Sequence, residues 1–143
     1  MILHRKIQKL KKRLLSIGAI VEEQVDLAIR SIVNRDPSLA QQVISNDVSI
    51  DLMEVDLEEE GLKILALHQP MAIDLRMIIA ILKINNDLER IGDLAASATK
   101  RAIVLVEQDS IEFPFDIPLM SNKVQQMLKH SLDALVNLDM ELA

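Results

Sequence analysis

The sequence QPMAIDLRMIIAILKINNDLERIGD, residues 69–93, predicts a long helix with acidic side chains at the end of its packing face. Pro70 is favourable in the first turn of a helix, and neither glycine nor proline follows it until Gly92. Spacings of three and four residues place six side chains on one face, namely Leu75, Ile79, Leu82, Asn86, Glu89 and Asp93. A buried carboxylate is unfavourable by several kcal/mol unless a positive group compensates it. Glu89 and Asp93 therefore predict a basic side chain or a metal ion beside them.

The composition predicts an all-α protein the size of one domain. Half of the 143 residues are apolar, and only two of these are aromatic, both Phe. With three glycines and few β-branched runs, this composition favours helices. The absence of cysteine excludes disulfides, thiol chemistry and thiolate zinc sites. No apolar run reaches the ~18 to 20 residues that a membrane span requires, so the sequence predicts a cytoplasmic protein.

The charge is distributed unevenly along the chain. The formal net charge is −6, yet residues 1–13 contain six Lys or Arg and no acid, which leaves −12 for the remainder. The acidic remainder and the scarcity of aromatic side chains argue against nucleic acid as a partner. The basic segment suits either a solvated helical face or contact with an acidic partner or membrane surface.

Hydrophobic periodicity and the breaks at Pro37 and Pro70 predict four helices, over about residues 3–34, 37–67, 70–107 and 119–143. Asp36 is a favourable N-cap immediately before Pro37, a favourable first helical residue. Two short turns that join three long helices predict an antiparallel three-helix bundle over residues 1–110. Residues 111–118, with two prolines, form the predicted connector to the fourth helix.

The fourth helix is predicted to begin a second copy of the first. The segment VNRDPSLA at residues 33–40 reappears as VNLDMELA at residues 136–143, with five of eight residues identical. The apolar positions of the first and fourth helices match at the same offset. Residues 119–143 are therefore expected to be the first helix of an incomplete second repeat. On this reading the chain is a fragment of a six-helix protein, or its fourth helix buries its apolar face against another chain.

Three acidic pairs, each spaced by four residues, are expected at one level of this bundle. Antiparallel pairing across the two turns brings a pair from each of the first and second helices level with the pair on the third. The six carboxylates are Glu22, Asp26, Asp47, Asp51, Glu89 and Asp93. Side chains spaced by four stack on one helical face, so each pair can bind one ion or bridge two. Oxygen-only clusters suit cations such as Mg²⁺, Mn²⁺, Ca²⁺ or Fe³⁺.

On the second helix the acidic stripe continues through Glu54 and Glu58, beside an apolar line that is the predicted packing face. That line consists of Ile44, Val48, Val55 and Leu62. Two alternatives to metal binding remain open. One is a solvated helical face, which applies to Glu22, Asp26, Glu54 and Glu58. The other is ion pairing of Glu89 and Asp93 with a Lys or Arg of a neighbouring helix.

No pattern in the sequence predicts catalysis. The three histidines are scattered, and none follows a glutamate by three residues, so the Glu-x-x-His signature of ferritin-like di-iron bundles is missing. A nucleophile motif and a Gly-rich phosphate loop are also missing. The chain is therefore not expected to be an enzyme.

The segment HQPMAIDLRMIIAILKINNDLERIGDLA, residues 68–95, closely resembles the hallmark of the PhoU family, regulators of bacterial phosphate uptake. The resemblance extends along the whole chain, from the basic first helix to the opening of the second repeat. It implies two three-helix repeats, from which this chain departs by ending after the fourth helix. It also implies metal clusters held by Glu/Asp-x-x-x-Asp pairs, matched by Glu22/Asp26, Asp47/Asp51 and Glu89/Asp93, with iron, manganese, magnesium or zinc as the ion.

The same resemblance implies a non-enzymatic cytoplasmic regulator that reaches the membrane only through its partners. Such a protein links the ATPase of the phosphate ABC transporter to the phosphate-sensing histidine kinase and represses the phosphate-starvation response. A homodimer is expected because the fourth helix exposes apolar side chains at Leu119, Val124, Leu128, Leu132 and Leu135. The alternatives are a PhoU-like regulatory domain of a sodium/phosphate cotransporter, and a carboxylate-bridged metal enzyme or storage bundle.

Overall fold

The computed structural model describes residues 2–106 and 116–137, and these form four α-helices. The helices are α1 (Ile2–Val33), α2 (Pro37–His68), α3 (Ile73–Val106) and α4 (Ile117–Asn137). The described ranges contain no strand, so the all-α prediction is confirmed. Most of the predicted connector over residues 111–118 lies outside the described residues. Its last two positions already belong to α4.

The first turn has the predicted cap. The Asp36 side chain accepts hydrogen bonds from the main-chain N–H groups of Ser38, at 2.9 Å, and Leu39, at 3.3 Å. Pro37 follows at the first helical position. A main-chain N–H at this position would have no acceptor within the helix, so the N–H that proline lacks is not needed there. These local interactions begin α2 immediately after α1 and return the chain antiparallel to it.

The second turn differs from the prediction, because Pro70 does not begin α3. Gln69 and Ala72 both adopt left-handed backbone conformations, with φ values of 43° and 53°. The Gln69 N–H donates to the Leu65 carbonyl at 3.2 Å and ends α2. A helix cannot include a left-handed residue, so α3 begins only at Ile73 and Pro70 is buried in the turn.

Helices α1, α2 and α3 pack around a main aliphatic core, with a smaller cluster at Leu27, Ala28, Val43 and Ala95. The fully buried members of the main core are Ile7, Leu10, Leu14, Ile17, Val21, Ile50, Leu57, Ile64, Ile78, Ile81 and Leu88. Each such side chain contributes roughly 1.5 to 3 kcal/mol of burial free energy. This core holds α2 and α3 side by side, and it thereby fixes the groove between them in which the acidic residues lie.

The buried face of α3 is not the predicted one. Leu75 and Ile79 are 39% and 37% exposed, whereas Ile78 and Ile81 are fully buried. The residues that pack are each one position before the predicted ones, and one residue corresponds to a rotation of roughly 100° about the helix axis. Glu89 and Asp93 are therefore exposed, and the expectation that they lie on the buried side was wrong. Residues 77–84 are apolar on almost every side, so periodicity could not identify the packing face.

The same correction applies to α2. Val48, Val55 and Leu62 of the predicted packing line are 65%, 49% and 51% exposed. The line that packs is instead Val43, Ile50, Glu54, Leu57, Gly61 and Ile64. The acidic stripe thus lies between the core and an exposed apolar strip, and Glu54 lies within the core-facing line itself.

Helix α4 packs against α1 of the same chain. A Cβ atom built on Gly18 would lie 2.5 Å from Leu132 Cδ1, so the glycine permits this close approach. Leu132 is 7% exposed, and Leu128 and Leu135 pack against the main core. The expectation that all five apolar residues of the fourth helix lack partners was therefore wrong. Leu119 and Val124 do remain exposed.

Candidate metal centre

Three aspartates converge in the groove between α2 and α3. Asp47 and Asp51 lie one turn apart on α2, and Asp93 faces them from α3. One carboxylate oxygen from each lies within 4.8 Å of the other two. Metal ions bind protein oxygens at about 2.0 to 2.6 Å, so oxygens around one ion lie no more than about 5 Å apart. The spacing of these three oxygens therefore suits a single cation between them.

Glu89 lies beside this group without belonging to the set of three oxygens. It occupies the exposed side of α3, one turn before Asp93. Its negative charge contributes to raising the pKa of Glu54, which places it at the edge of the same groove.

Glu22 and Asp26 lie on a different side of the bundle. Asp26 forms an ion pair with Arg30 at 3.6 Å and lines a cavity of about 160 Å³ next to α4. Glu22 lines another cavity, of about 280 Å³, together with Lys129 of α4. Of the six predicted ligands, the structure thus brings three together, leaves Glu89 at their edge and turns these two towards α4.

Gln24 occupies the position on α1 where the acidic pair was expected. Its Nε2 donates to the Val43 carbonyl at 3.0 Å, and its Oε1 accepts from Asn46 Nδ2 at 3.2 Å. The turn geometry gives the height of a residue along the bundle, but it does not give the rotation of the helix about its own axis. That rotation directs a neutral amide towards α2 and the two acids towards α4.

The electrostatics of the three-aspartate group are those of crowded like charges. Burial raises the pKa of Asp47, and the nearby Asp51 and Asp93 raise it further, while Lys100 opposes them. Burial also raises the pKa of Asp51, with a further contribution from Asp93. Asp47 Oδ1 is buried and has no hydrogen-bond partner. A cation bound between these groups would relieve the repulsion and supply the missing partner.

Glu54 is a functional candidate that was not among the six predicted ligands, and the solvated helical face that was its alternative to metal binding is wrong, because the residue is buried. Its side chain is 2% exposed, and neither carboxylate oxygen has a hydrogen-bond partner. Burial raises its pKa to about 8, with further contributions from Asp51, Glu89, Asp93 and Asp47, in that order. The sequence did contain one signal of this burial. Position 54 is four residues after Ile50 and three before Leu57, so it lies on the same helical face as these two core residues.

Together these residues form a donor set suited to a metal ion. All of the convergent atoms are oxygens, several carry negative charge, and buried ones lack any protein partner. Hard and borderline cations prefer such ligands, and their charge offsets the cost of burying carboxylates.

A sequence model of the PhoU domain matches residues 14–102. The chain is 37% identical to the phosphate-specific transport system accessory protein PhoU homolog of Aquifex aeolicus, over 99% of this chain and 64% of that protein. It is 41% identical to the Pseudomonas aeruginosa protein of the same name, over 96% of this chain and 57% of that protein. The chain therefore spans less than two thirds of the length of these relatives.

The fold is also similar to that of solved PhoU structures. The crystal structure of PhoU from Pseudomonas aeruginosa superposes with a TM-score of 0.90 at 39% identity, over 97% of this chain and 67% of that one. The phosphate transport system regulatory protein PhoU from Streptococcus pneumoniae gives a TM-score of 0.71 at 29% identity, over 95% of this chain and 60% of that one. The matched domain, the relatives and the shared fold agree, and the chain belongs to the PhoU family.

Proposed function

We propose that this chain is a metal-binding, non-enzymatic regulatory unit of phosphate uptake. Its relatives are named as accessory proteins of the phosphate-specific transport system, and similarity to them covers almost all of the chain. The observation that carries the metal-binding part is the convergence of one oxygen each from Asp47, Asp51 and Asp93. The ion is iron, manganese, magnesium or zinc, with Glu89 as an additional ligand at the rim.

The position of the site supports a regulatory role. The groove between α2 and α3 is acidic, and Val48, Val55 and Leu62 expose an apolar strip beside it. A bound divalent or trivalent ion would neutralise much of the negative charge in the groove without closing it. This metal-dependent surface is proposed to contact the cytoplasmic ATPase of the phosphate ABC transporter and the phosphate-sensing histidine kinase. Through these contacts the protein represses the phosphate-starvation response.

Thermal melting with and without metal tests the site. Chelator should lower the melting temperature at neutral pH, and added Mn²⁺ should raise it, because the ion relieves repulsion among the three aspartates. Asp93→Ala should leave the chelated protein at least as stable as wild type while reducing the stabilisation by Mn²⁺. Asp56→Ala, at an exposed acid of the same helix as Asp47, is the matched control. A melting curve unaffected by Mn²⁺, Fe³⁺ or Mg²⁺ would contradict the proposed site.

Co-purification tests the regulatory role. The wild-type chain should retain the transporter ATPase or the histidine kinase in the presence of Mn²⁺, and the double variant Glu89→Ala, Asp93→Ala should retain less. The Asp56→Ala variant should behave as wild type. Oxygen consumption by the iron-loaded protein would instead favour a carboxylate-bridged metal enzyme. Association with a sodium/phosphate cotransporter would favour a PhoU-like regulatory domain of such a cotransporter.

A further inference from the structure

Helix α2 exposes a line of apolar side chains on the face opposite the core. Each member lies two residues from a buried core residue of the same helix, and two residues correspond to a rotation of roughly 200° about the helix axis. The four side chains are between 49% and 65% exposed. The line, which we call the outer seam, consists of Val48, Leu52, Val55 and Leu62. Apolar surface that continues over several helical turns in this way marks an interaction site.

The outer seam has the spacing of a coiled coil. When Glu59 and Ala66 are added to it, the intervals between successive members alternate between four and three residues. Side chains at these intervals stay on one side of a helix over several turns, and a second helix can pack along them. From Val48 to Leu62 the seam extends about 21 Å, a length that a partner helix of roughly 15 residues covers. The shape of this surface therefore fits a single helix.

The charges beside the outer seam determine which helix it fits. Asp51 and Glu58 flank the seam on one side, and Asp56 flanks it on the other. In a coiled coil, side chains at these flanking positions face the charged residues of the partner helix. Glu59 adds a further negative charge within the seam, and Lys63 is a basic exception at the end nearest the second turn. The central part of the seam is thus complementary to Lys or Arg on the partner.

The same charges disfavour two other occupants. Two copies of α2 packed through the outer seam would bring their acidic central parts together, and like charges that face each other across an interface are unfavourable. An anionic membrane surface would be repelled for the same reason.

We propose that the outer seam binds one amphipathic helix of a partner protein, a helix with apolar side chains at heptad spacing and Lys or Arg on both sides of them. This inference rests on the proposed function for the identity of the partner, the transporter ATPase or the histidine kinase. It adds the surface of α2 that is contacted and the chemistry of the segment that is bound.

A model peptide tests the outer seam independently of the natural partner. The probe is a fluorescent peptide of about 21 residues with Leu at the two apolar positions of each heptad and Lys at the two flanking positions, where repulsion between Lys residues opposes self-association. Binding is followed by fluorescence anisotropy. Wild type should bind this Lys peptide at least about tenfold more tightly than a version with Glu in place of Lys.

A pair of matched substitutions locates the binding surface. Leu52→Ser should weaken binding of the Lys peptide about tenfold, because the leucine side chain is buried in the complex. Leu67→Ser should bind as wild type does, since Leu67 belongs to the same helix and is 64% exposed, compared with 63% for Leu52, but lies outside the seam. Both side chains are exposed in the free protein, so neither substitution removes a core contact.

The purified transporter ATPase and the cytoplasmic part of the histidine kinase are the natural probes, and their binding separates the two proposals. Weaker binding of either protein to Leu52→Ser than to wild type and Leu67→Ser would support the inference. Equal binding to all three would refute the outer seam and leave the proposed function standing. If wild type binds the Lys peptide but neither protein, the proposed function fails and the seam stands.

Three results with the isolated chain would also overturn the inference. They are no binding of the Lys peptide by wild type, equal affinity for the Lys and Glu peptides, and equal affinity of wild type and Leu52→Ser for the Lys peptide. Light scattering addresses a second copy as the occupant. If Leu52→Ser lowers the mass from two chains to one and Leu67→Ser does not, a second copy covers the seam and the inference is wrong.

Discussion

Replacing Glu54 by glutamine is expected to make the metal-free protein less sensitive to pH. In the folded protein burial raises the pKa of Glu54 to about 8 from an ordinary value of 4.5. Between these values the folded state keeps a proton that the unfolded state has released. The free energy of unfolding must therefore fall as pH rises through this window, and it should level off above about pH 8.

The size of the effect follows from the pKa difference. Each pKa unit corresponds to about 1.4 kcal/mol, so the full loss between pH 4.5 and pH 8 is roughly 5 kcal/mol. By pH 7 roughly 3 kcal/mol of this has been lost. Glutamine keeps the shape and cannot ionise, so Glu54→Gln should match wild type near pH 4.5 and exceed its stability by roughly 3 kcal/mol at pH 7. Asp47 and Asp51 have raised pKa values as well, and they retain part of the slope in the variant.

Urea denaturation in excess chelator, followed by circular dichroism at a series of pH values from 5 to 8.5, measures this difference. Glu58→Gln is the control, because the same substitution is made at an exposed residue of the same helix. If the difference between Glu54→Gln and wild type is the same at pH 5 and pH 8, Glu54 is not a buried group with a raised pKa.

Three further substitutions or measurements test the fold. Gly18→Ala should force Leu132 to move and destabilise the packing of α4 on α1 by roughly 1 to 3 kcal/mol, seen as faster amide hydrogen exchange in α4 than in α2. Asp36→Ala should lower the free energy of unfolding by about 1 kcal/mol, because two N–H groups of α2 lose their acceptor; Asp56→Ala should not. Light scattering at micromolar concentration should give twice the 16.1 kDa mass of one chain, because Leu119, Val124 and Met127 remain exposed; a single-chain mass would contradict the dimer.

Local chemistry was sufficient to predict the four helices and the first turn, but not the start of α3 after Pro70. The all-α class follows from composition, and the start of α2 follows from Asp36 and Pro37, whose interactions involve residues close to them in sequence. The height of Asp47 and Asp51 opposite Asp93 also follows from the sequence, because it depends only on helix rise and on the position of a short turn. Each of these features depends either on interactions within a few residues or on the number of residues between a side chain and a turn.

Only the tertiary structure decided how each helix is rotated about its axis. In α2 and α3 aliphatic residues occupy more than one face, so Ile50 and Val48, or Ile81 and Ile79, are equivalent candidates for burial by periodicity. Packing against the other helices decides which of these residues is buried, because the buried face of one helix depends on the shapes of the helices that contact it. That packing buries Glu54 and exposes Glu89 and Asp93. In α1, the same kind of rotation directs Gln24 towards α2 and Asp26 towards α4.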